Sequence, residues 1–237
     1  MKKIALIPAR SGSKRLKNKN ILNLGNRPLL YYSIKSAQES NLFNKIIVVT
    51  DSKKYEEIAK KYGAEVPALR PSYTAKDNSP DLKWIKWILN KIKVRDEKDV
   101  FFILRPTSPF RNKKTIIAAW KKFNSLKHKC DSLRAVELCN QHPGKMWKEK
   151  GNFIEPIINK KIKNTPMHSN QYAALPKIFV QNASLEISYV KNIFKKNSIS
   201  GNKIIPFFTK NYEGFDINNH NDYELAKILL KKKKLIR

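Results

Sequence analysis

Apolar residues along the chain alternate between short continuous runs and helix-spaced stripes. The runs in "KKIALIPA", "NKIIVVTDS" and "DVFFILRPTSPFR" predict strands, and the second is typical of a strand buried on both faces of a parallel sheet. A helix is predicted between the second and third runs, because four apolar residues share one face: Tyr55, Ile58, Ala59 and Tyr62. This alternation favours an open, mostly parallel α/β sheet, in which ligands bind beyond the carboxyl ends of the strands.

Residues that begin or end helices occur between these segments. Asp81 and Asn112 are predicted to cap the helices that follow them, and Gly63 stands where the residue after a helix belongs. A final helix is predicted from about Asp222, where Asn221 and Glu224 have the spacing of a capping box.

The alternation is interrupted once, from about residue 142 to 180. Short strand-like pieces mix there with Pro, Asn and Lys, and no clean helix is visible. The α/β pattern then returns with "ASLEISYVKNIF" and "KIIPFFT". We therefore predict a single domain over 1–237, with an inserted arm or subdomain at about 142–180.

The net charge by itself does not identify a partner. The 237 residues include 49 Lys and Arg against 19 Asp and Glu, giving a formal charge of +30, which would suit nucleic acid or an acidic membrane. However, the lysines are spread along the chain, as biased nucleotide composition also produces. No apolar run approaches the ~18 residues of a membrane span, and the first one is too short for a signal peptide. We expect a cytoplasmic protein.

One basic stretch differs from the others by its position. "IPARSGSKRLKNKN" directly follows the first predicted strand and leads toward a helix, so its backbone N–H groups can face an anion. Gly12 is expected to supply the backbone freedom of this turn, and Ser11 and Ser13 add hydroxyl donors. Neither G-x-x-x-x-G-K-[ST] nor G-x-G-x-x-G is present, so two common phosphate loops are excluded.

Five segments of the chain, in order, resemble those of the CMP-sugar synthetases, the cytidylyltransferases of sialic acid and related nine-carbon keto acids. The loop matches that family's I-P-A-R-x-G-S-K-x-x-x-x-K-N signature. The other four segments are "RPSYTAKDNS", "RPTSPFR", "LPKIFVQNASLEI" and "GFDINNHND". The resemblance implies a Rossmann-like nucleotidyltransferase fold and a homodimer in which the inserted arm closes over the partner's sugar site.

The resemblance also implies a reaction. Family members transfer CMP from CTP to the anomeric hydroxyl of the sugar acid and release pyrophosphate, by in-line attack assisted by Mg²⁺. Catalysis is then mostly positioning and electrostatic stabilisation. This agrees with a sequence that shows no Ser-His-Asp or Cys-His nucleophile set.

Site residues follow from the matched segments. The triphosphate would be bound by the basic loop, through Arg10, Ser13, Lys14, Lys19 and Asn20, and Lys14 is the cation expected to matter most to the rate. Arg70 and Ser79 would lie near the cytosine, and Asp216 would hold Mg²⁺.

The chain departs from the family pattern at three positions. Asn218 stands where the usual D-x-D motif has its second Asp, which predicts weaker metal binding, while Asp222 nearby is expected to cap a helix. Arg105 replaces a frequent Gln, and Tyr172 stands where sialic-acid enzymes typically carry an Arg. Arg105 is therefore a candidate for the substrate carboxylate.

The sugar itself is not identified by the sequence. Gln181 and Asn182 are expected to offer amide hydrogen bonds to it. The alternatives are a cytidylyltransferase of the eight-carbon acid Kdo, a nucleotide-binding regulator without catalysis, and a nucleic-acid-binding protein. The last would be expected to carry aromatics within the basic stretch, and none occurs between Arg10 and Asn20.

Overall fold

A computed structural model describes residues 1–127 and 129–232. These residues form the following strands: β1 Lys3–Pro8, β2 Asn23–Leu24, β3 Arg27–Pro28, β4 Lys45–Val49, β5 Val100–Ile103, β6 Ser132–Leu138, β7 Trp147–Lys150, β8 Phe153–Pro156, β9 Lys161–Ile162, β10 Thr165–Pro166, β11 Phe179–Tyr189 and β12 Ile204–Phe208.

The α-helices of the described residues are α1 Leu29–Glu39, α2 Lys53–Lys61, α3 Ser72–Ala75, α4 Asp81–Lys91, α5 Lys113–Ser125, α6 Val190–Phe194 and α7 His220–Lys231. Short 3₁₀ helices lie at Lys19–Ile21, Pro143–Lys145, Met167–Ser169 and Tyr172–Ala174. No helix within the described ranges is long and apolar enough to cross a membrane.

Two compact units are formed by the described residues. The first comprises Met1–Ala135 and the residues from Asn182 onward, and the second comprises Val136–Gln181. The predicted insertion at about 142–180 falls within the range of the second unit.

The first unit is built on a six-stranded mixed sheet with the order β12-β6-β11-β5-β1-β4. Strand β1 is parallel to both neighbours, so that Ala5 lies opposite Ile46 on β4 and Phe102 on β5. Strand β11 runs antiparallel to β5. Because β1, β4 and β5 are parallel, the loops that leave their carboxyl ends meet at one edge of the sheet.

Helices cover both faces of this sheet. Alternate residues of β1 point in opposite directions, so Ala5 and Ile7 join the apolar cluster formed with α1, α2 and α5. Ile4 and Leu6 join the opposite cluster, which is formed with α4 and α6. Strands buried on both faces must be apolar throughout, which explains the continuous runs in the sequence.

The helix ends confirm some predictions and correct others. Asn112 caps α5 by accepting the backbone N–H groups of Lys114 and Thr115, and Gly63 follows α2 with a φ of 82°. The predicted capping box at the last helix is wrong by two residues, because Asn219 is the N-cap of α7 and Asp222 is its reciprocal partner. Asp81 is also not a cap, since the cap position of α4 is Pro80.

The second unit consists of small hairpins and 3₁₀ turns. Strands β7 and β8 pair antiparallel, as do β9 and β10. His142 is buried and structural: its Nδ1 accepts the N–H of Gly144 at 2.9 Å, and its Nε2 lies 3.0 Å from the carbonyl oxygen of Pro176. Large apolar side chains are exposed on and beside the β7–β8 hairpin, notably Phe153 and Ile154.

Candidate active site

A polar cavity of about 390 Å³ lies at the carboxyl ends of the parallel strands. It brings together residues from all five of the sequence segments singled out above. The predicted site residues that line it are Arg10, Ser13, Lys19, Asn20, Arg70, Ser79, Arg105, Asp216 and Asn218. Lys14, Gln181 and Asn182 are not among its lining residues in the described part of the chain.

The basic loop is held by one contact to the loop after β4 and by one bond that joins its own two ends. The N–H and hydroxyl groups of Ser11 donate to the carboxylate of Asp51, at 2.8 and 3.1 Å. At the far end, the side-chain amide of Asn20 donates to the carbonyl of Arg10 at 3.0 Å. These bonds close the loop into a compact turn next to the cavity.

The expectation for Gly12 is wrong. Gly12 is absent from the positive-φ residues of the described chain, and a Cβ at this position would meet no atom within 4 Å. The left-handed residue of the turn is Asn18, with a φ of 54°. Asparagine tolerates this conformation better than most residues do, so the turn does not require glycine.

Arg10 and Lys14 share one carboxylate. Arg10 Nη1 lies 2.6 Å from Asp77 Oδ1, and Lys14 Nζ lies 2.7 Å from Asp77 Oδ2. Arg10 Nη1 also donates to the carbonyl of Ala75 at 3.2 Å. Asp77 lines the cavity, so its ion pair with Lys14 places the Lys14 ammonium at the cavity's edge. The Lys14 side chain is 84% exposed.

Lys19 is partly buried, whereas Lys14, Arg15 and Lys17 of the same loop are exposed. The ammonium group of Lys19 donates to the carbonyl of Ile217 at 2.8 Å. Burial lowers the pKa of Lys19 from its usual value; the carboxylate of Asp216 opposes this shift, and the positive charges of Arg15 and Arg10 add to it. The ammonium is thus held in place, but its charged form is less favoured than that of a surface lysine.

Asp216 presents one free carboxylate oxygen. Its Oδ2 accepts from the side-chain amide of Asn218 at 2.7 Å, while its Oδ1 is buried and has no hydrogen-bond partner within the described residues. Asn218 Oδ1 lies 3.4 Å from Arg15 Nη2. Asp222 takes part in capping the last helix, as expected, because its carboxylate accepts the N–H groups of Asn218 and Asn219.

The donor set fits a hard cation only in part. No group of three or more His, Cys, Asp or Glu side chains in the described ranges could hold a metal ion. A buried, unpartnered carboxylate oxygen is nevertheless the ligand type that Mg²⁺ prefers, and Mg²⁺ commonly completes its shell with water and substrate phosphates. Asp216 therefore fits a metal that is shared with a bound nucleotide.

Arg70 is fixed against the far wall of the cavity. Its guanidinium lies over the Trp84 ring, 5.6 Å from the centroid, and Nε donates to the hydroxyl of Thr74 at 3.0 Å. Burial lowers the pKa of Arg70 to about 10, although Asp81 and Asp51 act in the opposite direction. The hydroxyl of Ser79, on the same wall, is buried and has no partner in the described chain.

Arg105 is engaged by two carboxylates. Its Nη2 lies 2.6 Å from Asp81 and 3.3 Å from Glu186, and Glu186 in turn lies 3.0 Å from Arg134. Burial opposes the charge on Arg105, but the two carboxylates outweigh it and raise its pKa. This guanidinium lines the cavity without being a free cation.

The buried Arg111 was not singled out by the sequence. Its guanidinium donates to the carbonyls of Arg105 and Ser184 and to the hydroxyl of Ser33. Burial alone lowers its pKa to about 9. Arg111 thus fixes the backbone of the loop after β5, which carries residues that line the cavity.

The two amides predicted for the sugar lie elsewhere. Asn182 is buried: its side chain donates to Thr209 Oγ1 at 2.8 Å and accepts from the N–H of Ser184 at 3.2 Å. Gln181 is exposed and belongs to the second unit. Their predicted role stays a prediction.

Three acidic or basic residues of the cavity wall were missed as site residues. Lys76 and Asp77 lie in the "RPSYTAKDNS" segment, and Asp81 comes two residues after its end. The position of these three residues in or beside that segment was the signal in the sequence that could have identified them as site residues. Asp81 was interpreted as a helix cap because Asp before an apolar helix is common, yet its carboxylate accepts from Trp84 Nε1 and Arg105 Nη2.

Comparison with known proteins agrees with this geometry. Residues 4–133 match the family model described as cytidylyltransferase. An N-acylneuraminate cytidylyltransferase of Escherichia coli O18:K1:H7 is 34% identical over 97% of the chain, which spans 52% of that protein's length. A CMP-N,N'-diacetyllegionaminic acid synthase of Legionella pneumophila is 31% identical over 97% of both chains.

Solved structures share the fold at lower identity. A CMP:2-keto-3-deoxy-manno-octonic acid synthetase in complex with CTP superimposes with a TM-score of 0.73 over 98% of the chain and 100% of its own, at 12% identity. A cytidylyltransferase from Leptospira borgpetersenii gives 0.63 over 98% of the chain and 87% of its own, at 19% identity. Together with the family model and the full-length legionaminate relative, the cavity places this chain in the CMP-sugar synthetase family of cytidylyltransferases.

Proposed function

We propose that the protein transfers CMP from CTP to the anomeric hydroxyl of a nine-carbon 2-keto sugar acid and releases pyrophosphate. The observation that carries this proposal is the cavity itself. One space is lined by cations of the basic loop, by Asp216 with its unpartnered oxygen, and by Arg70 and Ser79, which are proposed to contact the cytosine. A nucleoside triphosphate with a divalent cation supplies the complementary charge.

The reaction needs no covalent enzyme intermediate. The anomeric oxygen of the sugar forms a bond to the α-phosphorus, the bond from that phosphorus to the bridging oxygen breaks, and the pair of electrons leaves with pyrophosphate. The hydroxyl proton passes to solvent. Catalysis then consists of aligning the two substrates and neutralising charge on the phosphates.

Arg10, Lys14 and Lys19 supply the neutralising charge, and Ser13 and Asn20 fix the loop around the triphosphate. Lys19 is held against the backbone of Ile217 before the nucleotide binds, so it loses little side-chain freedom in the complex. We therefore propose Lys19, in place of Lys14, as the cation that matters most to the rate, because the Lys14 side chain is 84% exposed and does not line the cavity.

Mg²⁺ is the proposed cofactor, held by Asp216 together with phosphate oxygens. When bound, the ion would offset negative charge on the phosphates. Asn218 would contribute only a neutral amide oxygen, and in the free protein its Oδ1 faces Arg15. The affinity for Mg²⁺ is therefore expected to depend on the nucleotide.

Arg70 and Ser79 are proposed to recognise the cytosine. The hydroxyl of Ser79 is buried without a partner in the described chain, so a polar edge of the base would satisfy it. Arg70 is fixed by Thr74 and Trp84 and offers a rigid donor on the same wall.

The sugar acid is proposed from the relatives, whose names specify acylneuraminate and diacetyllegionaminate. Arg105 is proposed to bind the carboxylate of the sugar acid. Gln181 and Asn182 are proposed to donate hydrogen bonds to its hydroxyl or acyl groups. Asp81 and Glu186 already hold Nη2 of Arg105, so its remaining donors would serve the substrate. An Arg105→Gln variant with an unchanged KM for the sugar acid would remove Arg105 from this role.

A homodimer formed through the second unit is also proposed. Phe153, Ile154 and Ile157 are 79%, 63% and 54% exposed, and apolar side chains so close together are typical of a surface that another subunit covers. Light scattering of the wild type and of an Ile154→Lys variant tests this arrangement, and two monomeric samples would count against it.

The deciding experiment measures pyrophosphate release from CTP and Mg²⁺ with a panel of acids: N-acetylneuraminate, a diacetyllegionaminate, pseudaminate, the deaminated nine-carbon acid and Kdo. We expect turnover with at least one nine-carbon acid and little with Kdo. Preference for Kdo would establish the eight-carbon alternative. No turnover with any acid would leave a non-catalytic nucleotide-binding protein.

A further inference from the structure

Asp77 links the basic loop to the opposite wall of the cavity. Its two carboxylate oxygens are divided between two cations, with Oδ1 on Arg10 at 2.6 Å and Oδ2 on Lys14 at 2.7 Å. Arg10 also donates to the carbonyl of Ala75, two residues before Asp77. The loop that is proposed to bind phosphates is therefore already occupied by an anion of the chain.

The geometry of this contact resembles that of a phosphate. A carboxylate that accepts from an arginine on one oxygen and a lysine on the other makes the same charge-assisted bonds as two phosphate oxygens. The hydrogen bonds from Lys14 and Arg10 also lower the pKa of Asp77, so it is ionised at neutral pH.

The contact is also reversible. The side chains of Asp77, Arg10 and Lys14 are 43%, 34% and 84% exposed, and ion pairs so open to water contribute little stability. A ligand carrying several negative charges can therefore displace the single carboxylate.

We propose that Asp77 is an affinity-setting residue: it neutralises Arg10 and Lys14 in the free protein and is displaced by the phosphates of the nucleotide. This inference rests on the proposed function. Asp77 thereby weakens the binding of CTP and also that of pyrophosphate, which helps the product to leave.

The test is the affinity for CTP and for inorganic pyrophosphate, measured by calorimetry at low salt with Mg²⁺. Because exposed ion pairs contribute little, Asp77→Asn and Asp77→Ala are expected to bind both ligands roughly two- to fivefold more tightly. The gain should shrink at high salt, where exposed charges are screened. Unchanged or weaker binding would overturn the proposal.

Glu97→Gln is the matched control. Glu97 forms an exposed ion pair with Lys195 at 2.5 Å and precedes β5, at the opposite edge of the sheet from the cavity. The Glu97→Gln substitution removes one negative charge, as Asp77→Asn does, and should leave the affinities for CTP and pyrophosphate unchanged. An equal gain in this variant would reduce the effect to net charge and contradict the proposal.

A double-mutant comparison separates competition from simple repulsion. If Asp77 competes with the phosphates for Lys14, the gain from Asp77→Asn must be smaller in a Lys14→Met background. An identical gain in both backgrounds would overturn the inference. Failure of the wild type itself to bind CTP would instead remove the proposed function.

Discussion

Three cations of the cavity are held by partners from distant parts of the sequence. Lys19 donates to Ile217, Arg10 contacts Asp77, and Arg105 contacts Glu186. The sequence identified the cations from their spacing and position, but it could not identify their partners, because such pairs depend on the fold. The misplaced role of Gly12 has a related cause, since Asn18 can adopt the same left-handed turn.

Lys19 is expected to set the alkaline limit of the reaction. Because burial lowers its pKa, Lys19 loses its charge at a lower pH than an ordinary lysine does, and activity should fall as the pH rises through that value. Lys19→Arg stays charged and should move the alkaline limb of kcat/KM for CTP to higher pH. Lys19→Met should lose roughly 10²–10³-fold in kcat.

The pH dependence of kcat/KM in the wild type and in both variants checks this role. An alkaline limb at the same pH in the wild type and in Lys19→Arg would assign the limit to another group. Full activity of Lys19→Met would remove Lys19 from the transfer step.

Asn218 is expected to limit the affinity for Mg²⁺. An Asn218→Asp variant adds a second carboxylate beside Asp216 and should lower the Mg²⁺ concentration needed for half-maximal activity. Asp216→Asn should raise that concentration strongly. Titration of activity with Mg²⁺ measures both effects, and an unchanged requirement in both variants would place the ion elsewhere.

At the scale of elements, apolar periodicity predicted the main strands and helices well. Strands β1, β4 and β5 are buried on both faces, and the apolar face of α4 packs on the sheet, so their patterns were unambiguous. Helix ends were less predictable. Asn219 and Asn221 are equally suitable caps by residue type, and only the backbone conformation distinguishes them.

The cap of α7 provides a stability test of that correction. Asn219→Ala should lower the free energy of unfolding by about 1 kcal/mol, because it removes the acceptor of the Asp222 N–H at 3.0 Å. Asn221→Ala is the control; it lies exposed in the first turn and should change stability by less than about 0.5 kcal/mol. Chemical denaturation of both variants decides between the two positions, and a larger loss for Asn221→Ala would restore the box predicted from the sequence.

At the scale of the whole molecule, the order of five short segments was more informative than composition. The charge of +30 did not identify a partner, because lysines spread along the chain also result from biased nucleotide composition. The segments instead predicted one cavity, and residues from all five line it. The sugar could not be predicted, because a few contacts choose among similar acids and two of the proposed contacts, Gln181 and Asn182, do not line the cavity of the free protein.

The central claim is direct transfer of CMP to the anomeric oxygen of a sugar acid. It is tested by a single turnover with CTP and a sugar acid carrying ¹⁸O in its anomeric hydroxyl, followed by mass spectrometry and pyrophosphate quantification. We expect one labelled CMP-sugar for each pyrophosphate, with ¹⁸O in the bond between sugar and phosphorus. Pyrophosphate released without a CMP-sugar, or a CMP-sugar that has lost the label from that bond, would contradict it.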